Sequence, residues 1–289
     1  MYLMHDYDDT LAKILSRGAW SNNRTGIRTK ALYGVQCRYK LNAGIYGGPY
    51  GFPLVTVRKM FPKSGFAELI WFLSGSTNNN DLVKLGAKFW TPWVSREFEE
   101  ANGFGPGDLG SIYGHQLRHF GSDYKTKADG FDQLAYMEKE VKTNPTSRRI
   151  LFSLWNMKDY SQMRLAPCHV MYQVCINGNG ELTGILTQRS NDVFVGVPVN
   201  VQFYSALTLM FAHVGGFQAG EFVHNMNDAH IYENQIPAVQ EYLERSSHIL
   251  PDSPQIKINH HDNICDYTVD DFHIINYNPL PAIQVPIAV

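Results

Sequence analysis

Little in this sequence favours a partner of one charge. Twenty-five Lys and Arg stand against 27 Asp and Glu, a formal charge of −2. There is no basic excess to release counterions from a nucleic-acid backbone, so DNA binding is not expected. Neither CxxC nor HExxH spacing occurs, so no metal is predicted, and His260-His261-Asp262 sits in a polar stretch that reads as a solvated loop. The four cysteines show no paired spacing, and neither a signal peptide nor a long apolar segment is present. Together these absences predict a soluble chain in a reducing compartment, the cytoplasm, with no membrane partner. No Pro/Ser-rich linker, repeat or low-complexity tract divides the 289 residues, of which 44% are hydrophobic. One large core is therefore expected, and residues 1–289 are read as a single domain.

What the sequence does have is concentrated in residues 165–235. Two runs rich in β-formers flank Asn177-Gly178-Asn179-Gly180, a strong hairpin signal. A hairpin symmetric about that turn puts Cys168 opposite Arg189. A thiol beside a guanidinium is easier to ionise, and the thiolate is the nucleophile. The strand that delivers Arg189 runs on through Ser190, Asn191 and Asp192, and its exit loop carries Asn200. Cys37, Cys175 and Cys265 read as inert small hydrophobes. Cys168 differs because Pro167 opens its run, where side chains lie nearer the surface. Cys168 and Cys175, seven residues apart on one strand, are expected to face opposite sides and not to pair.

Elsewhere, apolar periodicity and breakers predict helices over 6–15, 66–73, 130–142 and 201–214. Strands are expected over 31–39, 53–57, 150–155, 221–226 and 267–277. Residues 41–52, rich in Gly and Tyr, read as an inserted surface loop. Arg24 lies in a polar turn, and Arg148-Arg149 opens a strand. Glu68 is the one carboxylate on an apolar helix: either it faces water, or it is held in a site with a raised pKa.

The segments Ala166-Pro167-Cys168-His169, Gln188-Arg189-Ser190-Asn191-Asp192, Gly196-Val197-Pro198-Val199-Asn200 and Asp228-Ala229-His230-Ile231-Tyr232 resemble the signature blocks of the thymidylate synthase family, in its order and spacing. The likeness extends from Arg24-Thr25-Gly26 to the terminal Pro286-Ile287-Ala288-Val289. It implies an α/β (α+β) fold: a large, twisted, mostly antiparallel or mixed sheet with helices on one face and a sheet-to-sheet homodimer on the other. It implies deoxyuridine monophosphate (dUMP) and a reduced folate, 5,10-methylenetetrahydrofolate, as substrates, with Cys168 adding to C6 of the base. By the same resemblance Arg24 and Arg189 hold the phosphate, joined across the dimer interface by Arg148 and Arg149 of the neighbour. Glu68 manages protons. Tyr113, Gln188, Ser190, Asn191, Asp192 and Asn200 order the base, and His230 and Tyr232 grip the ribose. Trp90, Trp93, Asp192 and Gly196 wall the folate, and the tail around Ala288 closes over it. Phe61 stands where the family often has a His, and Met226-Asn227 precedes Asp228. Both are departures, and with the Gly/Tyr loop they keep a second product open: the 5-hydroxymethyl nucleotide of the related hydroxymethylases. A catalytically silent nucleotide- or RNA-binding relative is a third reading.

Overall fold

The computed structural model describes residues 3–41, 49–248 and 254–286. Its frame is laid down early. Helix α1 (His5–Arg17) buries Tyr7, Leu11 and Ile14 along one stripe and packs on the sheet. Strands β1 (Ala19–Ser21) and β2 (Thr29–Lys40) follow, then the short β3 (Tyr50–Gly51). Next come α2 (Pro62–Leu73), α3 (Asn79–Lys84), α4 (Arg96–Asn102), α5 (Tyr113–Arg118) and α6 (Gln133–Thr143). Asp132 caps α6 by accepting from the Ala135 N–H at 2.9 Å. Strand β4 (Leu151–Ser153) leads to the central hairpin of β5 (His169–Ile176) and β6 (Glu181–Gln188). After the short β7 (Asn191–Asp192), helix α7 (Gly196–Gly215) crosses over to β8 (Gln218–Tyr232). Helix α8 (Ile236–His248), β9 (Gln255–Ile258) and β10 (Phe272–Ile275) complete the order.

Among the described residues the main sheet runs β1-β2-β8-β6-β5-β4, with β7 beside β8. Strand β8 pairs parallel with β6 and β7, and the other pairs are antiparallel, so the sheet is mixed. A parallel neighbour needs a crossover, and α7 provides it. This helix is apolar on nearly every side because α2, α6 and the sheet surround it. The opposite face of the sheet stays half-exposed at Thr183, Ile185 and Thr187.

The hairpin forms as expected, with Asn177 Oδ1 accepting from the N–H groups of Asn179 (2.9 Å) and Glu181 (3.1 Å). Its register is less simple. From Ile176↔Leu182 to Met171↔Thr187 the pairs sum to 358, which would set Cys168 opposite Ser190. A bulge between His169 and Met171 inserts Val170 and shifts the pairing by one. His169 then faces Gln188, and the Arg189 N–H reaches the Cys168 carbonyl at 2.9 Å. The bulge also interrupts the simple alternation between Cys168 and Cys175. Cys168 is half-buried at the cavity and Cys175 is exposed, about 23 Å further along the strand.

Several expected elements are corrected. Residues 53–57 are buried but irregular: single bonds such as Leu280 N–H to Thr56 O (2.8 Å) and Tyr277 OH to Val55 O (3.1 Å) satisfy their backbone in place of a ladder. The 267–277 strand shrinks to β10, because Thr268 and Asp271 make a reciprocal cap around a tight turn. It pairs in a second sheet, β10-β9-β3, that the sequence reading did not foresee. Helix α7 begins at Gly196, so Asn200 stands on a helix and not on a loop. Residues 42–48 of the Gly/Tyr loop and 287–289 of the tail, including Ala288, lie outside the described residues. Among the described residues no helix is long and apolar enough to cross a membrane.

Gly184 shows how closely β6 and α7 approach. A Cβ there would lie 2.2 Å from Thr208 Oγ1 and 2.4 Å from the Tyr172 hydroxyl, two groups bonded to each other at 2.9 Å. Gly184→Ala should destabilise the fold by about 1–3 kcal/mol through overpacking. Thermal unfolding measures this, and an unchanged midpoint would mean that the contact relaxes freely.

Candidate active site

At the open end of the hairpin is a cavity of about 530 Å³. Its walls include Cys168, Arg189 and Ser190 from the hairpin, Arg24 from the turn before β2, Trp93, and His230 and Tyr232 from the end of β8. Four separate stretches of chain thus converge on one hollow.

The nucleophile candidate is fixed through its backbone. The Cys168 N–H donates to the Tyr113 hydroxyl at 2.8 Å, and its carbonyl accepts from Arg189 N–H. The Arg189 guanidinium bonds the carbonyls of Pro167 and Ala166, each at 2.9 Å, lies 5.2 Å from the Trp155 ring, and brings Nη2 to 4.0 Å from Cys168 Sγ. The sequence led us to expect an easily ionised thiol. Burial instead pushes the Cys168 thiol up, and the opposing pulls of Arg189, the Tyr113 hydroxyl and Arg24 only partly offset it.

Glu68 is 6% exposed, and its Oε1 accepts from Trp90 Nε1 at 2.6 Å. Of the two readings open for it, the buried one holds: burial raises its pKa to about 7 against the pull of the indole bond. Trp90 sits 5.6 Å from Trp93 and 5.7 Å from Tyr113, ring centre to ring centre, so acid, indoles and phenol form one buried wall beside the cavity. His230 Nδ1–H donates to Asp228 Oδ1 at 3.0 Å, and its ring stands perpendicular to that of Tyr232 at 5.3 Å. Both point into the hollow, as extended backbone requires of residues two apart.

Other expected residues do not line the cavity. Asp192 is held by Val195 N–H (3.0 Å) and Gln235 Nε2 (2.9 Å), and burial raises its pKa. Asn191 Nδ2 bonds the carbonyl of Asp228 at 3.0 Å and so ties β7 to β8. Gln188 and Asn200 bond each other at 3.2 Å behind Ser190. Gly196 opens α7, and Phe61 is 68% exposed in front of α2, away from the hollow. Arg148 and Arg149 are exposed on the turn before β4 and are not among the described residues that wall the cavity. Conversely, the sequence reading missed Asn23, Tyr160, Met163 and Arg164 in the walls. Arg164 Nε donates to the Trp93 carbonyl at 2.8 Å. A cation four residues before the nucleophile was a visible signal for it.

A family model described as thymidylate synthase matches residues 5–289. The chain belongs to the thymidylate synthase family. It is 41% identical to the thymidylate synthase of human herpesvirus 8 over 287 residues, 96% of this chain and 82% of the relative. It is 39% identical to the human thymidylate synthase over 292 residues, 98% of this chain and 90% of the relative. Thymidylate synthase of equine herpesvirus 2 matches at 39% over 99% of this chain.

The buried acid makes stability depend on pH. Native Glu68 holds its proton up to about pH 7, whereas the unfolded chain releases it near 4.5. The native state binds more protons in that window, so stability falls as pH rises through it. Glu68→Gln has nothing to ionise and should gain on the parent by up to about 3 kcal/mol between pH 5 and 8. Urea midpoints at the two pH values test this, and a gap independent of pH would refute the raised pKa.

Proposed function

We propose that the chain carries out the folate-dependent reductive methylation of dUMP at C5, with Cys168 as nucleophile. The observation that carries this reading is the thiol of Cys168 on a cavity walled by Arg24 and Arg189. C5 of uracil is a poor nucleophile until a thiolate adds at C6. As the Sγ–C6 bond forms, ring electrons move to O4, and C5 can then attack the methylene of 5,10-methylenetetrahydrofolate. Arg189 Nη2, at 4.0 Å, stabilises the charge that develops on sulfur as the thiol proton leaves. After C5 loses its proton, the folate departs and leaves an exocyclic methylene. Hydride from tetrahydrofolate reduces that methylene, dihydrofolate forms, and the thiolate is expelled. Glu68, poised near pH 7, is suited to moving these protons.

The guanidiniums of Arg24 and Arg189 suit a phosphate dianion, and His230 and Tyr232 suit the ribose hydroxyl. Tyr113 holds the Cys168 backbone, Ser190 faces the nucleotide, Asn200 is assigned to the edge of the base from behind Ser190, and Asp192 orders the strand end between them. Trp90 and Trp93 form the folate wall, with Gly196 and Ala288 assigned to its closure. We read residues 1–289 as one catalytic domain that pairs through the half-exposed sheet face and offers Arg148 and Arg149 to the neighbour's phosphate. A cytoplasmic setting suits its four free thiols.

The exposed position of Phe61 favours a second product. A folate held without that contact admits water, which would trap the methylene as a hydroxymethyl group and leave tetrahydrofolate unoxidised. Anaerobic turnover, followed by dihydrofolate absorbance and nucleotide mass, should give thymidylate with one dihydrofolate each. Cys168→Ala should abolish it while retaining dUMP binding. A hydroxymethyl product without dihydrofolate would replace the reductive reading, and residual turnover in Cys168→Ala would remove the covalent step.

The shared phosphate site has its own test. Subunit exchange between inactive Cys168→Ala and inactive Arg148→Ala proteins should restore part of the activity, because each hybrid dimer has one intact site. Proven exchange without recovery would confine Arg148 to its own subunit or to no site.

A further inference from the structure

Behind Ser190 lies a buried group that no step above uses. Gln188 Nε2 donates to the Ser190 carbonyl at 3.0 Å. A carbonyl only accepts, so the orientation of this amide is fixed and its Oε1 points the other way. There it meets Asn200 Nδ2 at 3.2 Å and His224 Nε2 at 2.9 Å. Oε1 also only accepts, so both partners must donate. His224 is 0% exposed, and its Nδ1 has no partner among the described residues. Burial drives its pKa down to about 3, so the ring stays neutral. His169 Nδ1 lies 3.0 Å from the Tyr204 hydroxyl, and Asn200 pulls the His169 pKa up against its burial.

The result is an amide with a direction. Asn200 gives one N–H to Gln188 and keeps the other beside its Oδ1, a donor next to an acceptor. The uracil edge offers O4 next to N3–H, which complements that pair. Cytosine offers N4–H next to a bare N3. To match it Asn200 must turn over, which sets its Oδ1 against Gln188 Oε1, acceptor against acceptor.

We propose that His224 is a specificity-determining positioning residue: by donating to Gln188 Oε1 it holds Gln188, and through it Asn200, in the orientation that reads uracil and rejects cytosine. This rests on the reading of Asn200 as a base contact. Without His224, only the Ser190 carbonyl opposes a joint turnover of the Gln188 and Asn200 amides, so that turnover costs less.

Calorimetric binding of dUMP and dCMP to the parent, His224→Leu and His224→Gln proteins tests the inference without requiring turnover. His224→Leu should reduce the dUMP-over-dCMP preference by roughly tenfold, mainly through tighter dCMP binding. His224→Gln, whose amide can supply the missing donor, should restore it. A merely structural role would weaken both nucleotides alike and leave their ratio unchanged, and that result overturns the inference. If His224→Leu does not fold, Gln188→Leu removes the acceptor itself, and an unchanged ratio there is equally fatal. A parent protein without preference for dUMP would sink the reading of Asn200. A preference that survives in His224→Leu sinks only the role of His224.

Discussion

Three successive carbonyls, those of Ala166, Pro167 and Cys168, are held by one residue, Arg189: two by its guanidinium and one by its backbone N–H. The cavity depends on this clamp. It fixes the segment that carries the thiol, and with Nε and one Nη already engaged it leaves the rest of the fork toward the hollow. Because all three acceptors are main-chain carbonyls, the clamp constrains the backbone of the segment that carries Cys168, which makes a stiffer mount for its thiol. Tyr113 completes it from the opposite side by accepting from the Cys168 N–H.

Much of this was legible in the sequence, for identifiable reasons. The Asn-Gly turn and its β-rich flanks encode the hairpin locally, and the quoted family blocks named Cys168, Arg189, His230 and Tyr232, all of which meet at the cavity. The facing of Cys168 and Arg189, however, came out right by a route the sequence did not reveal. A symmetric hairpin was assumed, whereas the real turn is longer by one and the Val170 bulge corrects the count. Bulges leave no period-2 signature, since the residue that breaks the alternation is an ordinary Val. Residues 53–57 looked like a strand because they are apolar, but burial was met by scattered single bonds. Asn200 looked like loop because Pro198 and Gly196 precede it, yet both residues are compatible with the first turn of a helix. The Gln188–His224 contact joins residues 36 apart through a parallel pairing, and no local pattern encodes that.

Electrostatically, the site keeps its neutral groups neutral and its charges few. Burial raises Glu68, Cys168 and Asp192 and lowers His169 and His224. Desolvation therefore outweighs local partners at every one of these positions. Three guanidiniums, those of Arg24, Arg164 and Arg189, share the walls of the hollow with one carboxylate, Asp228. On a chain with a net charge of −2 this is a local positive field, suited to steering an anionic substrate without attracting polyanions generally.

Helix α7 has a consequence for the time order of folding. The β5–β6 hairpin closes over a short loop and can form early, with Cys168 and Arg189 already adjacent. Strand β8 joins β6 in parallel only after twenty helical residues have docked between them, so His230 and Tyr232 arrive late. Until then the β6 edge is bare, a template for wrong pairing between chains. The nascent chain can thus have Cys168 set against Arg189 before His230 and Tyr232 complete the cavity around them.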